Sequence, residues 1–373
     1  MVRIDRSVPF CGLPESHVVS PTPAPWVVCH YRVVPDTEPS AELVAPPLVA
    51  YAFEAVNPVL LGMDEETWIP TQQVNLARAI LALTAVDMTK VVLVVTGDMV
   101  ASTRERLEPH LRDAFSDERG AGTLGGKTMN VGDEVHVLMP FWFYVDADAA
   151  ASMQPGEEAD EFSANTEGRV ALARRIIVHE AQHVRMTQKG EAGVDLSGTD
   201  RARRDFLFLA HDVLDEYRAE LGVAADFREA FEYEVAAETL PAFREGLKRA
   251  VRENQRHRNV ETLMDAVLAQ AQHAWKALAN VAAARRVGAV TEPLSASGTD
   301  WDELAAPYWD RLEELLGMTP PPAEQFTPEA QRPLMEALAD LLDEWLRGLG
   351  FLWRDIDGGR NAEFKITSRH ISG

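Results

Sequence analysis

Cysteine is nearly absent from this chain, and long apolar runs are missing. Cys11 and Cys29 are the only two cysteines in 373 residues, which is too few for a disulfide framework. No apolar run approaches the roughly 18 residues that a membrane-spanning helix needs. The N-terminal residues Met1–Arg6 lack the apolar centre of a signal peptide. We therefore expect a cytoplasmic protein with no membrane partner.

Basic side chains are also in short supply. The chain has 36 Lys and Arg against 59 Asp and Glu, which gives a formal net charge of −23. Such a field repels phosphate backbones, so nucleic acid is not an expected partner. The remaining composition, 46% apolar and 25% charged, is typical of a globular protein, and the length suffices for two lobes.

Two of the ten histidines form a motif. His179 to His183 read H-E-x-x-H, directly after the β-branched run Ile176–Val178. Positions i and i+4 share one face of a helix, so both imidazoles can reach one metal ion. Glu180 lies about 100° away, where it can take a proton from a metal-bound water. We predict a Zn²⁺ site; the alternative is a pair of ordinary surface histidines.

A third ligand is expected from the helix predicted over Asp205–Leu221. Relative to Val213 at the centre of its apolar stripe, Glu216 falls at about −60° and Glu220 at about −20°. Carboxylates on this side are costly to bury unless a cation lies nearby. Periodicity slightly favours Glu220, and the carboxylate that does not bind metal, or Asp212, can bond a histidine Nδ1–H instead. The alternative is that both glutamates pair with nearby arginines: Arg174, Arg175 or Arg185.

The motif resembles that of the zincin metallopeptidases, in the gluzincin branch whose third ligand is a Glu on a later helix. No histidine occurs between His183 and His211, which excludes the branch with a third His shortly after the motif. The run Asp215–Ala219 is similar to the Glu-Tyr-x-Ala pattern that carries the ligand in several H-E-x-x-H groups. This similarity favours Glu216. The resemblance implies zinc-dependent hydrolysis of a peptide bond, with Glu180 as general base and a peptide or protein as substrate.

Such a hydrolase also needs a group that stabilises the oxyanion. We take Tyr217 as the catalytic candidate for this role. The resemblance covers residues 179 to about 220 and one upstream strand, and it identifies no particular family. Three other side chains are candidates that the sequence does not separate from it: Tyr144, Tyr233 and His273.

The upstream strand is predicted over Glu134–Tyr144. Pro140 cannot donate to a ladder, which indicates an edge position or a bulge. In zincins the strand before the active helix is often an edge strand that pairs with extended substrate, because an open edge offers unpaired backbone groups. An ordinary capped edge strand fits the sequence equally well.

A glycine-rich stretch, Gly120–Thr128, nearly fits the phosphate-binding P-loop, with Ala121 where that pattern has its first Gly. A phosphate cradle needs a strand before the loop and a helix after it. Here a helix is predicted before it and a strand after it, so we expect a hairpin or loop. A nucleotide-dependent switch is the weaker alternative, and Lys127→Ala would test it by calorimetry.

We predict an α+β, zincin-like fold with three segments. Residues 1–50 form a Pro-rich N-terminal segment, 51–190 a mixed α/β lobe ending in the motif helix, and 191–373 a helical lobe with the third ligand and a C-terminal hairpin. The motif helix is expected at the lobe junction. Helices are predicted near 71–85, 100–115, 166–190, 202–222, 226–252, 258–286, 299–316 and 328–348.

The favoured function is that of a zinc metallopeptidase. The alternative is a zincin-fold binding or regulatory protein with a metal site and no turnover. The oligomeric state is not predicted. A second zinc site is disfavoured, because its candidate ligands match no compact knuckle spacing: Cys11, His17, Cys29 and His30. Four tryptophans are expected in the core: Trp301, Trp309, Trp345 and Trp353.

Overall fold

The computed structural model describes residues 47–63, 70–112, 115, 118–119, 122–123, 125–145, 166–191, 194–223, 227, 231–290 and 299–368. Most of the Pro-rich segment, and with it the possible second zinc site, lies outside the described residues.

Within these residues the chain forms α-helices and β-strands in the following order. The helices are α1 (Gln72–Thr84), α2 (Met99–Arg106), α3 (Thr166–Gln188), α4 (Arg201–Leu221), α5 (Phe231–His257), α6 (Val260–Arg286), α7 (Thr299–Leu304), α8 (Ala306–Gly317) and α9 (Pro328–Gly348). The strands are β1 (Ala50–Glu54), β2 (Val91–Thr96), β3 (Glu118–Arg119), β4 (Gly122–Thr123), β5 (Lys127–Val131), β6 (Glu134–Pro140), β7 (Phe351–Ile356) and β8 (Asn361–Ile366). The α+β class, with a small mixed sheet and a larger helical part, is confirmed.

The chain divides into two compact units. One comprises residues 1–116 and 125–177, and the other comprises residues 117–124 and 178–373. The division falls inside α3, the motif helix. None of the described helices is both long and apolar enough to cross a bilayer.

The first unit contains a four-stranded sheet in the order β1-β2-β6-β5. Strands β1, β2 and β6 are parallel, and β5 is antiparallel to β6. Every residue of β2 is buried, as its β-branched run predicts for a strand covered on both faces.

The prediction of an edge strand over Glu134–Tyr144 is wrong, because β6 lies between β2 and β5. The strand ends at Pro140, opposite Thr96, and the next four residues form a 3-10 turn. A missing N–H is tolerated at the last ladder position, so the proline does not force the strand to the edge. The tight turn at Gly132, with φ of 64°, connects β5 to β6, so β5 pairs with the edge of β6 that does not face β2.

The glycine-rich stretch leads into a strand rather than a helix. Residues of β3 and β4 pair as a short antiparallel ladder, and β5 begins at Lys127. The helix that a phosphate cradle needs after the loop is therefore replaced by a strand, as the sequence predicts.

The second unit is built around an aromatic core. Trp345 stacks on Phe243 with ring centroids 5.0 Å apart and meets Trp275 edge-on at 5.4 Å. The four tryptophans predicted in the core are all buried, which confirms that interpretation: Trp301, Trp309, Trp345 and Trp353.

Helix α4 is held at both ends within this unit. The Asp355 carboxylate on β7 accepts the backbone N–H groups of Ala202 at 2.8 Å and Arg203 at 3.0 Å, so it caps the positive end of the helix dipole. Near the other end, the buried Arg218 forms an ion pair with the buried Glu191. These contacts fix the helix that carries the predicted third ligand.

Candidate metal centre

The two motif histidines lie one turn apart on α3 and turn the same ring atoms toward each other. The Nε2 atoms of His179 and His183 are 3.2 Å apart, and the rings meet edge-on with centroids 4.9 Å apart. Helix α4 approaches this face closely: a Cβ at Gly222 would lie 2.4 Å from Cγ of Gln182, so the glycine permits the approach.

Carboxylates of α4 hold the other nitrogen of each ring. Nδ1 of His179 is 2.8 Å from Glu220 Oε2, and Nδ1 of His183 is 3.0 Å from Asp215 Oδ2. Because a carboxylate only accepts, each Nδ1 donates its proton. In a neutral imidazole this leaves the Nε2 lone pair directed at the space between the rings.

Glu216 brings a third acceptor to the same space. Its Oε2 lies 3.2 Å from His179 Nε2. His179, His183 and Glu216 each offer one ligand atom, and these atoms all lie within 4.8 Å of one another. Among the residues that the structure describes, this is the one such group of three or more metal-binding side chains.

The two distances that involve His179 Nε2 fit a tetrahedral metal ion. Zinc bonds of about 2.0–2.1 Å at the tetrahedral angle place neighbouring ligand atoms about 3.3 Å apart. The observed separations are 3.2 Å for His179 to His183 and 3.2 Å for His179 to Glu216. Three acceptors this close repel one another unless a proton or a cation lies among them. The donor set therefore fits a divalent metal.

The charge of the cluster also favours a cation. Burial alone lowers the pKa of His179, but the hydrogen bonds and charges of Glu216 and Glu220 raise it to about 10. Burial alone raises the pKa of Glu216, but Lys276 and the two imidazoles bring it well below its ordinary value. Protons and metal ions compete for the same imidazole nitrogens, so a site that attracts one attracts the other.

Glu216 and Glu220, which periodicity does not firmly distinguish as the third ligand, contact different nitrogens of His179. Glu216 faces Nε2 at the ligand side, and the fully buried Glu220 bonds Nδ1 behind the ring. This is the arrangement of a ligand and an outer partner, in that order. Asp212, the other predicted outer partner, instead accepts a hydrogen bond from Gln272.

The two predicted catalytic residues have different surroundings. Glu180, which follows His179 in α3, is buried. Tyr217 is also buried, and its hydroxyl accepts a hydrogen bond from Arg286 at 3.2 Å. Arg286 in turn donates to the Thr319 carbonyl at 2.8 Å, so the tyrosine forms part of a polar network in the helical core. Its role as oxyanion stabiliser stays a prediction.

The remaining sequence candidates are dispersed. Tyr144 lies in the first unit, where burial raises the pKa of its hydroxyl. His273 lies on α6, and the side chain of Tyr233 lies outside the described residues. The three-residue group does not include His211, whose Nδ1 is 3.9 Å from Asp212.

Sequence reasoning missed two residues of the cluster. Asp215 bonds His183, and Lys276 on α6 lies 3.0 Å from Glu216 Oε1. Asp215 is one of five acidic residues on α4, but it lies about 160° from the centre of the apolar stripe, so periodicity assigns it to the solvent side. Nothing in the local sequence of Lys276 indicates its partner 60 residues away.

The chain matches no protein-family model, no curated protein and no solved structure. The likeness to zincin metallopeptidases therefore rests on the motif and on the cluster of His179, His183 and Glu216.

Proposed function

We propose that the chain binds one zinc ion through His179, His183 and Glu216 and hydrolyses a peptide bond. The observation that supports the metal is the convergence of three ligand atoms within 4.8 Å of one another, with His183 and Glu216 each 3.2 Å from His179. The observation that supports hydrolysis is a buried carboxylate, Glu180, directly after His179 in the chain and outside the group of three candidate ligands.

Each residue has a distinct task in this proposal. Bound zinc supplies a Lewis acid that polarises a carbonyl and acidifies water. Glu180 accepts the proton of the attacking water and delivers it to the leaving amine. Glu220 and Asp215 keep the imidazoles in the tautomer that presents Nε2.

The experiment is a comparison of Glu180→Gln with wild type. The substitution preserves size and removes the base, so zinc content and folding should be unchanged. Cleavage across a broad peptide library, followed by mass spectrometry, should fall by roughly 10²–10⁴-fold. Glu167→Gln is the matched control, because Glu167 is an exposed glutamate on the same helix.

Two outcomes would contradict the proposal. Unchanged cleavage in Glu180→Gln would exclude this residue as the base. No cleavage by zinc-loaded wild type, with a partner bound equally by wild type and Glu180→Gln, would favour the binding or regulatory alternative.

Metal identity is a separate test. Two imidazoles and one carboxylate with open positions also suit ferrous iron, which supports oxidative rather than hydrolytic chemistry. Elemental analysis of protein purified without added metal and without oxygen should show about one zinc per chain. Stoichiometric iron in place of zinc would contradict the hydrolytic proposal.

A further inference from the structure

A lysine from a third helix reaches the candidate ligand. Nζ of Lys276 on α6 lies 3.0 Å from Glu216 Oε1 and 3.8 Å from Asp212 Oδ2. Asp212 itself accepts a hydrogen bond from Gln272, one turn before Lys276. A chain of polar contacts therefore runs from α6 through α4 to the candidate metal ligand.

The packing of α4 against α6 fixes this lysine. The two helices run in the same direction, and their cross-helix pairs keep one register along the whole contact. Each pair is offset by 60 residues: Arg201 with Glu261, Asp212 with Gln272, and Glu216 with Lys276. The packing of two long helices therefore places the Lys276 ammonium beside Glu216.

The two oxygens of Glu216 have different partners. Oε2 faces His179 Nε2 at 3.2 Å, and Oε1 accepts a hydrogen bond from Lys276 at 3.0 Å. A carboxylate can bind a metal through one oxygen or through both, and a charge-assisted hydrogen bond to one oxygen opposes the second mode.

We propose that Lys276 is a positioning residue that holds Glu216 in one-oxygen ligation and so preserves an open coordination position for the substrate. This proposal rests on the proposed metal site. It assigns Lys276 a geometric role, which differs from simple neutralisation of the acidic cluster. Neutralisation alone would alter how tightly a metal binds, whereas the geometric role also alters how many protein atoms bind it.

The test is the coordination number of cobalt(II), a spectroscopic substitute for zinc. Four-coordinate cobalt absorbs visible light more strongly than five- or six-coordinate cobalt. Lys276→Met should weaken these bands, because the released Glu216 oxygen joins the metal. Zinc affinity, measured with a competing chelator, should rise, because a positive charge is removed beside the site and Glu216 gains a second bond to the metal. The control is Lys248→Met on α5, which removes a lysine paired with Glu245 and should leave both readouts at wild-type values.

A crystal structure of zinc-loaded wild type supplies a second measurement, independent of whether Lys276→Met folds. It should show one oxygen of Glu216 on the metal and the other still bonded to Lys276. Two outcomes would overturn the inference alone: two Glu216 oxygens on zinc, or a cobalt spectrum unchanged by Lys276→Met. Absence of any metal in wild type would instead overturn the proposed function, and the inference with it.

Discussion

The two glutamates of α4 offer a direct test of the site, because they bond opposite sides of the same imidazole. Glu216 Oε2 lies 3.2 Å from His179 Nε2, and Glu220 Oε2 lies 2.8 Å from His179 Nδ1. We therefore expect Glu216→Gln and Glu220→Gln, which remove the same charge from one helix, to differ in their effect on zinc affinity.

The magnitudes follow from the number of ligands. Zinc sites with four protein ligands bind with about 10–16 kcal/mol, or about 2.5–4 kcal/mol per ligand. Loss of Glu216 as a ligand should therefore weaken binding by about 10²–10³-fold. Loss of an outer partner such as Glu220 typically weakens binding by about 10–100-fold. The two variants should differ by about tenfold or more.

The assay is competition with a chromogenic zinc chelator, with circular dichroism to confirm folding. Glu314→Gln is the matched control, because it makes the same charge change at an exposed position on α8. A larger loss for Glu220→Gln than for Glu216→Gln would refute the assignment of Glu216 as ligand. Equal losses at the level of Glu314→Gln would refute the metal site itself.

Three further predictions concern the unit that holds α4. Asp355→Ala removes the cap of α4 and should cost about 1 kcal/mol, seen as a lower Tm by calorimetry; an unchanged Tm would contradict the capping role. Trp345→Ala should cost about 3–5 kcal/mol in chemical denaturation, because it empties a buried aromatic cluster, and a loss below 1 kcal/mol would contradict that packing. Arg218→Met leaves Glu191 buried without its partner and should cost about 3–5 kcal/mol. Addition of Glu191→Gln should recover part of that loss, and no recovery would show that the pair is not coupled.

The helices of this unit were largely predictable from the sequence. Periodicity placed helices near 202–222, 258–286 and 328–348, and the structure has them at Arg201–Leu221, Val260–Arg286 and Pro328–Gly348. Each has a continuous apolar stripe and a terminator close to its end, so local chemistry suffices.

Two errors elsewhere have local and non-local causes. The helix predicted near 100–115 ends at Arg106, because Pro109 disfavours helical conformation at the residue before it. The edge position predicted for β6 failed because a strand's neighbours are chosen by the whole chain. Pro140 indicated correctly that one ladder position lacks a donor. It could not indicate that the strand ends at this position, where the missing donor is tolerated within an inner strand.

Some residues of the site were also predictable from local sequence, and others depended on how the helices pack. The fixed helical spacing of His179 and His183 made their convergence predictable from five residues. The choice between Glu216 and Glu220 required knowledge of which flank of α4 faces α3, and periodicity gives only the angle to the apolar stripe. Asp215 lies about 160° from the centre of that stripe, so one-helix reasoning assigns it to the solvent side. Its contact with His183 shows that α3 packs on the flank of α4 rather than over its apolar centre.

Helix α4 thus supplies the candidate ligand and both outer carboxylates, and this concentration has a consequence for stability. The carboxylates of α4 repel one another, and Lys276 neutralises only part of their charge through Asp212 and Glu216. Any ion that binds the folded site but not the unfolded chain stabilises the fold, by about 2.7 kcal/mol at a hundredfold excess over its Kd. Zinc binding and the contacts of α4 with Asp355 and Glu191 therefore stabilise the same folded arrangement of this helix. Variants that loosen either anchor should weaken metal binding without contacting a ligand.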